Sequence, residues 1–370
     1  VFLPVVIIQF RLAFVRQDTH QLQFMPFMIA LVALSALLVR RRRYLTAHVA
    51  VFGLLLIGGT LTGLIDPLGR GLLPSNLLTG AWGTQAVTRM AHLKETRQTL
   101  AAESQHNLAQ LKLPEEWFEL VRASRCGVGT LPWEIQYCPA NNLVWNPTPT
   151  LQLYAAYTAD LDSWSAEKYR GREAPGFIIN EYVPVGKRHQ MIDAPATWRE
   201  IFIRYRLRAA MFEPTQVALL EQRAEIPRTT YEVLRNDTVM LGGAGFTVPS
   251  AEGLVFAEID LRLGFLGRLQ KSLFRVPLIY LVMYHTSGET TYYRLTPGPA
   301  ANGVLINRFP KDFMGYRRLW QGSIDDPVVR ITIAGPGLPF FRPRTTITWR
   351  ELRFSAPGPP SSMNRPVKSS

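Results

Sequence analysis

The chain has 370 residues, 47% of them hydrophobic, with a formal net charge of +13 and two cysteines. Nothing in it excludes a bilayer or an acidic partner. The basic residues are scattered with no recognition helix, which argues against nucleic acid, and two cysteines rule out a disulfide-rich framework.

The apolar content is concentrated at the start. Runs at Val1 to Phe10, Phe24 to Val39 and Tyr44 to Ile65 predict transmembrane helices over 1–65, the first of them a partial span. A Val start inside an apolar run reads as a fragment of a larger membrane domain, with upstream helices as neighbours. Arg40 to Arg43 make a short basic loop that should be cytoplasmic. The third run then crosses outward. The expected localisation is a multi-pass inner-membrane protein with its large C-terminal part outside the cytoplasm. The loop between the first two runs also faces outward and carries Arg11, Arg16, Asp18 and His20.

Residues 66–115 read as an exit loop followed by a connector helix, with Met90, Leu93, Leu100 and Leu111 on a rough stripe. Over 116–228 strand-like and helix-like stretches alternate, which predicts a small α/β unit. Leu161 to Tyr169 and Thr197 to Tyr205 read as helices, the second with Thr197 as N-cap and Glu200 closing a capping box. Phe177 to Tyr182 reads as a strand. Residues 229–355 are rich in short strands, among them a hairpin around His285 to Glu289, and predict a β-sandwich of jelly-roll type. The tail, 356–370, is rich in Pro and Ser and reads as disordered. The expected fold class is therefore a multidomain membrane protein: N-terminal transmembrane helices, an α/β unit and a C-terminal β-sandwich.

Several residues carry candidate chemistry. Arg11 and Arg16 suit a lipid-linked phosphate, with Asp18 or His20 as general base. The plainer reading is an interfacial loop with polar anchors. Trp133, Glu134, Trp145, Gln152 and Tyr157 gather the aromatic, carboxylate and amide groups that a sugar site needs, and they serve equally as core and turn formers. Glu134, Asp160, Asp162, Glu181 and Asp193 include candidates for a carboxylate pair, though their spacing selects none. Cys126 and Cys138 enclose a short loop that either a disulfide or two buried thiols would suit. His189 reads as part of a solvated turn. No metal-site spacing, nucleophile elbow or phosphate-binding loop appears, so no metal or cofactor is expected.

The stretch LPWEIQYCPANNLVWNPTPTLQLYAAYTADLDSWSAEKYRGREAPGFII, then MIDAPATWREIFIRY, resembles a family of uncharacterised bacterial polytopic membrane proteins, loosely glycosyltransferase-like. The loop Phe14 to His20 and the stretch from Leu263 to Ile306 resemble the same family. The chain departs from that pattern at Thr148, Leu153 and Gln17 or Gln21, where the family carries Arg, Ser and His. The resemblance implies membrane helices followed by an extracytoplasmic domain, in a cell-envelope protein. The function expected is transfer of a lipid-linked sugar in envelope glycan assembly. The alternative is a non-catalytic interaction or scaffold module anchored in the bilayer.

Overall fold

The computed structural model describes residues 88–122, 127–184, 187–243, 245–273, 278–323 and 326–354. The expected spans, the exit loop and the tail lie outside the described residues, as do Arg11, Arg16, Asp18, His20 and Cys126. Among the described residues no helix is long and apolar enough to cross a membrane. Residues 88–104 and 266–273 belong to one unit, and 105–265 together with 278–354 to another.

Helix α1 (Leu93–Ala109) fits the expected connector in type, but it buries none of its residues. Met90, Leu93 and Leu100 of the predicted stripe are exposed. Only Leu111, beyond the helix, packs on the core. Helix α2 (Glu115–Arg122) is amphipathic and buries Trp117 and Val121.

The α/β part is a four-stranded mixed sheet of order β1-β2-β4-β3. Its strands are β1 (Val128–Leu131), β2 (Phe177–Glu181), β3 (Tyr205–Met211) and β4 (Val217–Gln222). β1 and β2 run parallel, joined by a crossover that contains helix α3 (Ala159–Arg170). β2 and β4 are antiparallel, as are β4 and β3. Successive side chains in a strand point to opposite faces. Phe177 and Ile179 therefore share a face and join Trp117, Val121, Val128, Tyr137, Val217 and Leu219 in one core.

Helix α4 (Pro195–Arg204) starts two residues earlier than expected and has no capping box. Thr197 lies inside it, fully buried, and Glu200 pairs instead with Arg170 at 2.7 Å and Arg204 at 3.0 Å. The cap comes from α3. Asp162 accepts from the Ala196 and Thr197 backbone N–H groups at 2.9 and 3.0 Å, and from the Thr197 hydroxyl at 2.9 Å. A carboxylate there satisfies amide donors that a helix start leaves open and sits favourably on its dipole.

The strand-rich half forms two four-stranded antiparallel sheets. Its strands are β5 (Thr229–Met240), β6 (Phe246–Thr247), β7 (Leu254–Asp260), β8 (Ile279–His285), β9 (Thr290–Leu295), β10 (Val304–Leu305), β11 (Val328–Ala334) and β12 (Arg344–Phe354). One sheet has the order β10-β7-β12-β5, the other β6-β11-β8-β9. The β8–β9 hairpin is present as expected, and Gly288 at φ +87° takes the left-handed position of its turn. Helices α5 (Phe265–Leu273) and α6 (Phe313–Trp320) interrupt the strands, as does a helical turn at Pro297–Ala300.

α5 is unusual in what it leaves uncovered. Phe265, Leu266 and Leu269 fall within one third of the helical turn and are all more than half exposed. Gly267, on the opposite side, is buried, and Arg268 and Lys271, off the apolar row, are exposed.

Candidate functional site: a carboxylate pair at the strand ends

β1 ends at Leu131, and the chain turns through Trp133 and Glu134 into a helical turn, Tyr137–Ala140. Asn141 fixes that turn: its Nδ2 donates to Tyr137 O and Leu111 O, both at 2.9 Å, and its Oδ1 accepts from Leu113 N–H. Tyr137 is buried, and its hydroxyl exchanges a hydrogen bond with Thr215 at 3.2 Å, just ahead of β4.

Glu181 is the last residue of β2 and has the parity of Phe177 and Ile179. Its carboxyl therefore caps the apolar face that carries Tyr137. Burial there pushes it up to about 7, the charge of Glu134 adds to the rise, and the Tyr137 hydroxyl opposes it. Burial raises Tyr137 to about 12. The result is a half-buried carboxyl pair, Glu134 and Glu181, at the carboxyl ends of two neighbouring parallel strands. That is where open α/β sheets commonly place their ligands. A carboxyl that titrates near neutrality is suited to proton transfer.

The other three carboxylates have structural partners or none. Asp162 is fully buried at the α4 start, where it also accepts from Asn302 at 2.9 Å. Asp193 is buried against Arg188 at 2.7 Å, and burial raises it to about 6 against the pull of that cation. Asp160 is exposed on α3.

The expected aromatic and amide cluster forms in part. Trp133 meets Tyr154 edge-on at 5.6 Å, and Tyr154 donates to Gln152 Oε1 at 2.6 Å. Arg188 lies over the rings of Tyr154 and Tyr157, at 5.6 and 5.3 Å. Trp145 does not join them. It bridges to Val128 at the opposite end of β1, beside Asn146, which donates to Glu173 O.

One expectation is corrected, and one open alternative is decided. His189 is not in a solvated turn: it is 3% exposed, packed on Phe309 at 4.4 Å and between Tyr182 and Tyr293. Its Nδ1 accepts from Met191 N–H, so the neutral ring keeps its proton on Nε2, facing the Tyr182 hydroxyl at 3.0 Å. Cys138 carries a free buried thiol rather than half of a bridge. Burial raises it to about 11. The thiolate is the reactive form, so in a Cys126→Ser chain iodoacetamide at pH 8 should leave Cys138 unmodified until urea is added. Prompt native-state labelling, read by mass spectrometry, would show that the thiol is not enclosed.

Among the described residues no group of three or more His, Cys, Asp or Glu side chains is placed to hold a metal ion. No protein-family model, curated protein or solved structure matches the chain.

Proposed function

We propose that the described domain is the glycan-handling part of a bilayer-anchored, glycosyltransferase-like envelope protein, with Glu181 as its general base. The observation that carries this reading is the position of Glu181: held near 7 by an apolar face and by Glu134, at the carboxyl ends of β1 and β2. In the proposed reaction an acceptor sugar hydroxyl gives its proton to the Glu181 carboxylate. The hydroxyl oxygen bonds to the anomeric carbon of a lipid-linked sugar, and the bond to the lipid phosphate breaks with its electron pair on the phosphate. Glu134 keeps the proton affinity of Glu181 high enough for that transfer.

Two further parts of the reading have structural support. The two antiparallel sheets fit a β-sandwich, because each buries an apolar row: Ile279, Leu281 and Met283 on one, Val255, Ala257 and Ile259 on the other. The outward apolar row of α5, with exposed Arg268 and Lys271 off it, suits a helix lying in the surface of an anionic bilayer. That supports a membrane location.

The test is envelope glycan profiling with the full-length protein. Glu181→Gln should lower product formation about a hundredfold, within the range for loss of a general base. Wild-type rate should rise with pH through about 7 as Glu181 loses its proton. Glu134→Gln should move that midpoint to lower pH, since it removes a charge that raises it. A glycan profile unchanged by deleting the gene would turn the assignment to the non-catalytic scaffold reading.

A further inference from the structure

A second cleft lies away from the carboxylate pair and is lined by cations. Its walls come from the end of α4 (Phe202), the residue after β4 (Arg223), the loop after β10 (Arg308), the end of α6 (Trp320) and the end of β12 (Arg353, Phe354). The cavity holds about 340 Å³. That lies within the range of small-molecule sites.

Two of the three arginines in this cleft, Arg223 and Arg308, have no carboxylate partner among the described residues. Arg223 is half-buried, and its Nε is enclosed without an acceptor. Burial, and after it the charge of Arg206, lowers its pKa. Arg206 already has Glu221 at 2.7 Å, so it has no use for a shared anion. Arg308 donates to two backbone carbonyls, Gly322 O at 3.1 Å and Glu252 O at 2.7 Å, which orient the guanidinium and leave its charge unneutralised. Arg353 is paired with Glu351 at 2.8 Å, through the oxygen that Gly253 N–H leaves free, and its side chain stays more than half exposed at the rim. Glu252 is the one carboxylate lining the cleft. An enclosed guanidinium nitrogen with no acceptor is costly to hold, and a guanidinium fork matches a phosphate geometrically. Phe202 and Trp320, 5.1 Å apart, and Phe354 add apolar surface to the lining.

We propose that this cleft binds a phosphate ester: the phosphate on Arg223, Arg308 and Arg353, and its apolar substituent against Phe202, Trp320 and Phe354. The proposal does not depend on the Glu181 reading. The ester can be the headgroup of a lipid or a soluble compound, and the chemistry is shared.

The test is calorimetric titration of the full chain in phosphatidylcholine nanodiscs with phenyl phosphate and with inorganic phosphate. Phenyl phosphate should bind at least about tenfold more tightly than inorganic phosphate, a difference of roughly 1.4 kcal/mol from the apolar lining. Arg223→Gln should weaken phenyl phosphate at least about tenfold. Arg353→Gln, at a side chain more than half exposed on the rim, should weaken it several-fold. Repeating the titration in nanodiscs that contain phosphatidic acid separates the sources. A lowered apparent affinity assigns the site to a lipid headgroup, and an unchanged one to a soluble ester. No heat with phenyl phosphate, or equal affinity in wild type and both variants, would overturn the proposal.

Discussion

Replacing Asp162 by Ala should lower the stability of the domain by about 4 kcal/mol, because it strands several buried donors at once. The carboxylate accepts from Ala196 N–H, Thr197 N–H, the Thr197 hydroxyl and Asn302 Nδ2, all within 3.0 Å. It is fully buried, away from bulk solvent. Burial raises its pKa while these four donors pull the other way, which marks a charge kept in place by its hydrogen bonds. For a unit of this size the loss corresponds to a melting temperature lower by roughly 10 °C. Asp162→Asn should fall between, since one of its two acceptor positions becomes a donor facing donors. If Asp162→Ala melts within a degree or two of wild type, Asp162 is not what holds α4 against α3.

The second large effect is an acid sensitivity centred on His189. Burial lowers its pKa to about 3. The unfolded chain takes up that proton below about 6.5, its ordinary value, while the folded chain stays neutral. Between those values the unfolded state binds more protons, so stability falls as the pH drops. The loss is about 1.4 kcal/mol per pH unit, or roughly 3 kcal/mol between pH 6.5 and 4. Glu181 and Asp193, raised to about 7 and 6, act in the opposite direction over part of that window, because the folded state holds their protons first. The informative quantity is therefore the difference between wild type and a variant that lacks the imidazole. His189→Asn preserves an N-cap for the turn at Gln190–Asp193. It should be less stable than wild type at pH 7, yet lose roughly 3 kcal/mol less on going to pH 4 in urea titrations. Parallel pH profiles for the two chains would mean that His189 is charged, or wetted, in the fold.

What the sequence made legible follows from how local each signal was. The β8–β9 hairpin announces itself because the apolar run, the turn and the return strand are contiguous, and β1, β2, α3 and α4 carry similarly local patterns. The capping box at Thr197 failed for the opposite reason. Thr197 and Glu200 have the right spacing, but a carboxylate 35 residues upstream reaches the amides first. Glu134 was visible beside Trp133, and Glu181 stood among five candidate carboxylates. Only the parallel register of β1 and β2, with the even spacing from Phe177 to Glu181, selects those two as a pair. Tyr137 and Thr215 were missed, since nothing near either residue hints at the other 78 positions away. The guanidinium cleft draws on residues from 202 to 354, a span over which spacing carries no information.

The order of strands in the larger sheet sets a constraint on how the protein is made. β12 is an interior strand, held between β7 and β5, although it is the last of the twelve strands among the described residues. β5 pairs along its whole length with β12 and with no other strand, so it has no sheet neighbour until residues more than a hundred positions later have been synthesised. Pairings of such separation form slowly, and unpaired edges invite the wrong partner. During translation β5 must therefore wait, exposed, for most of the domain to leave the ribosome. A ribosome that stalls before Arg344 releases two unjoined pieces of sheet rather than a shortened domain.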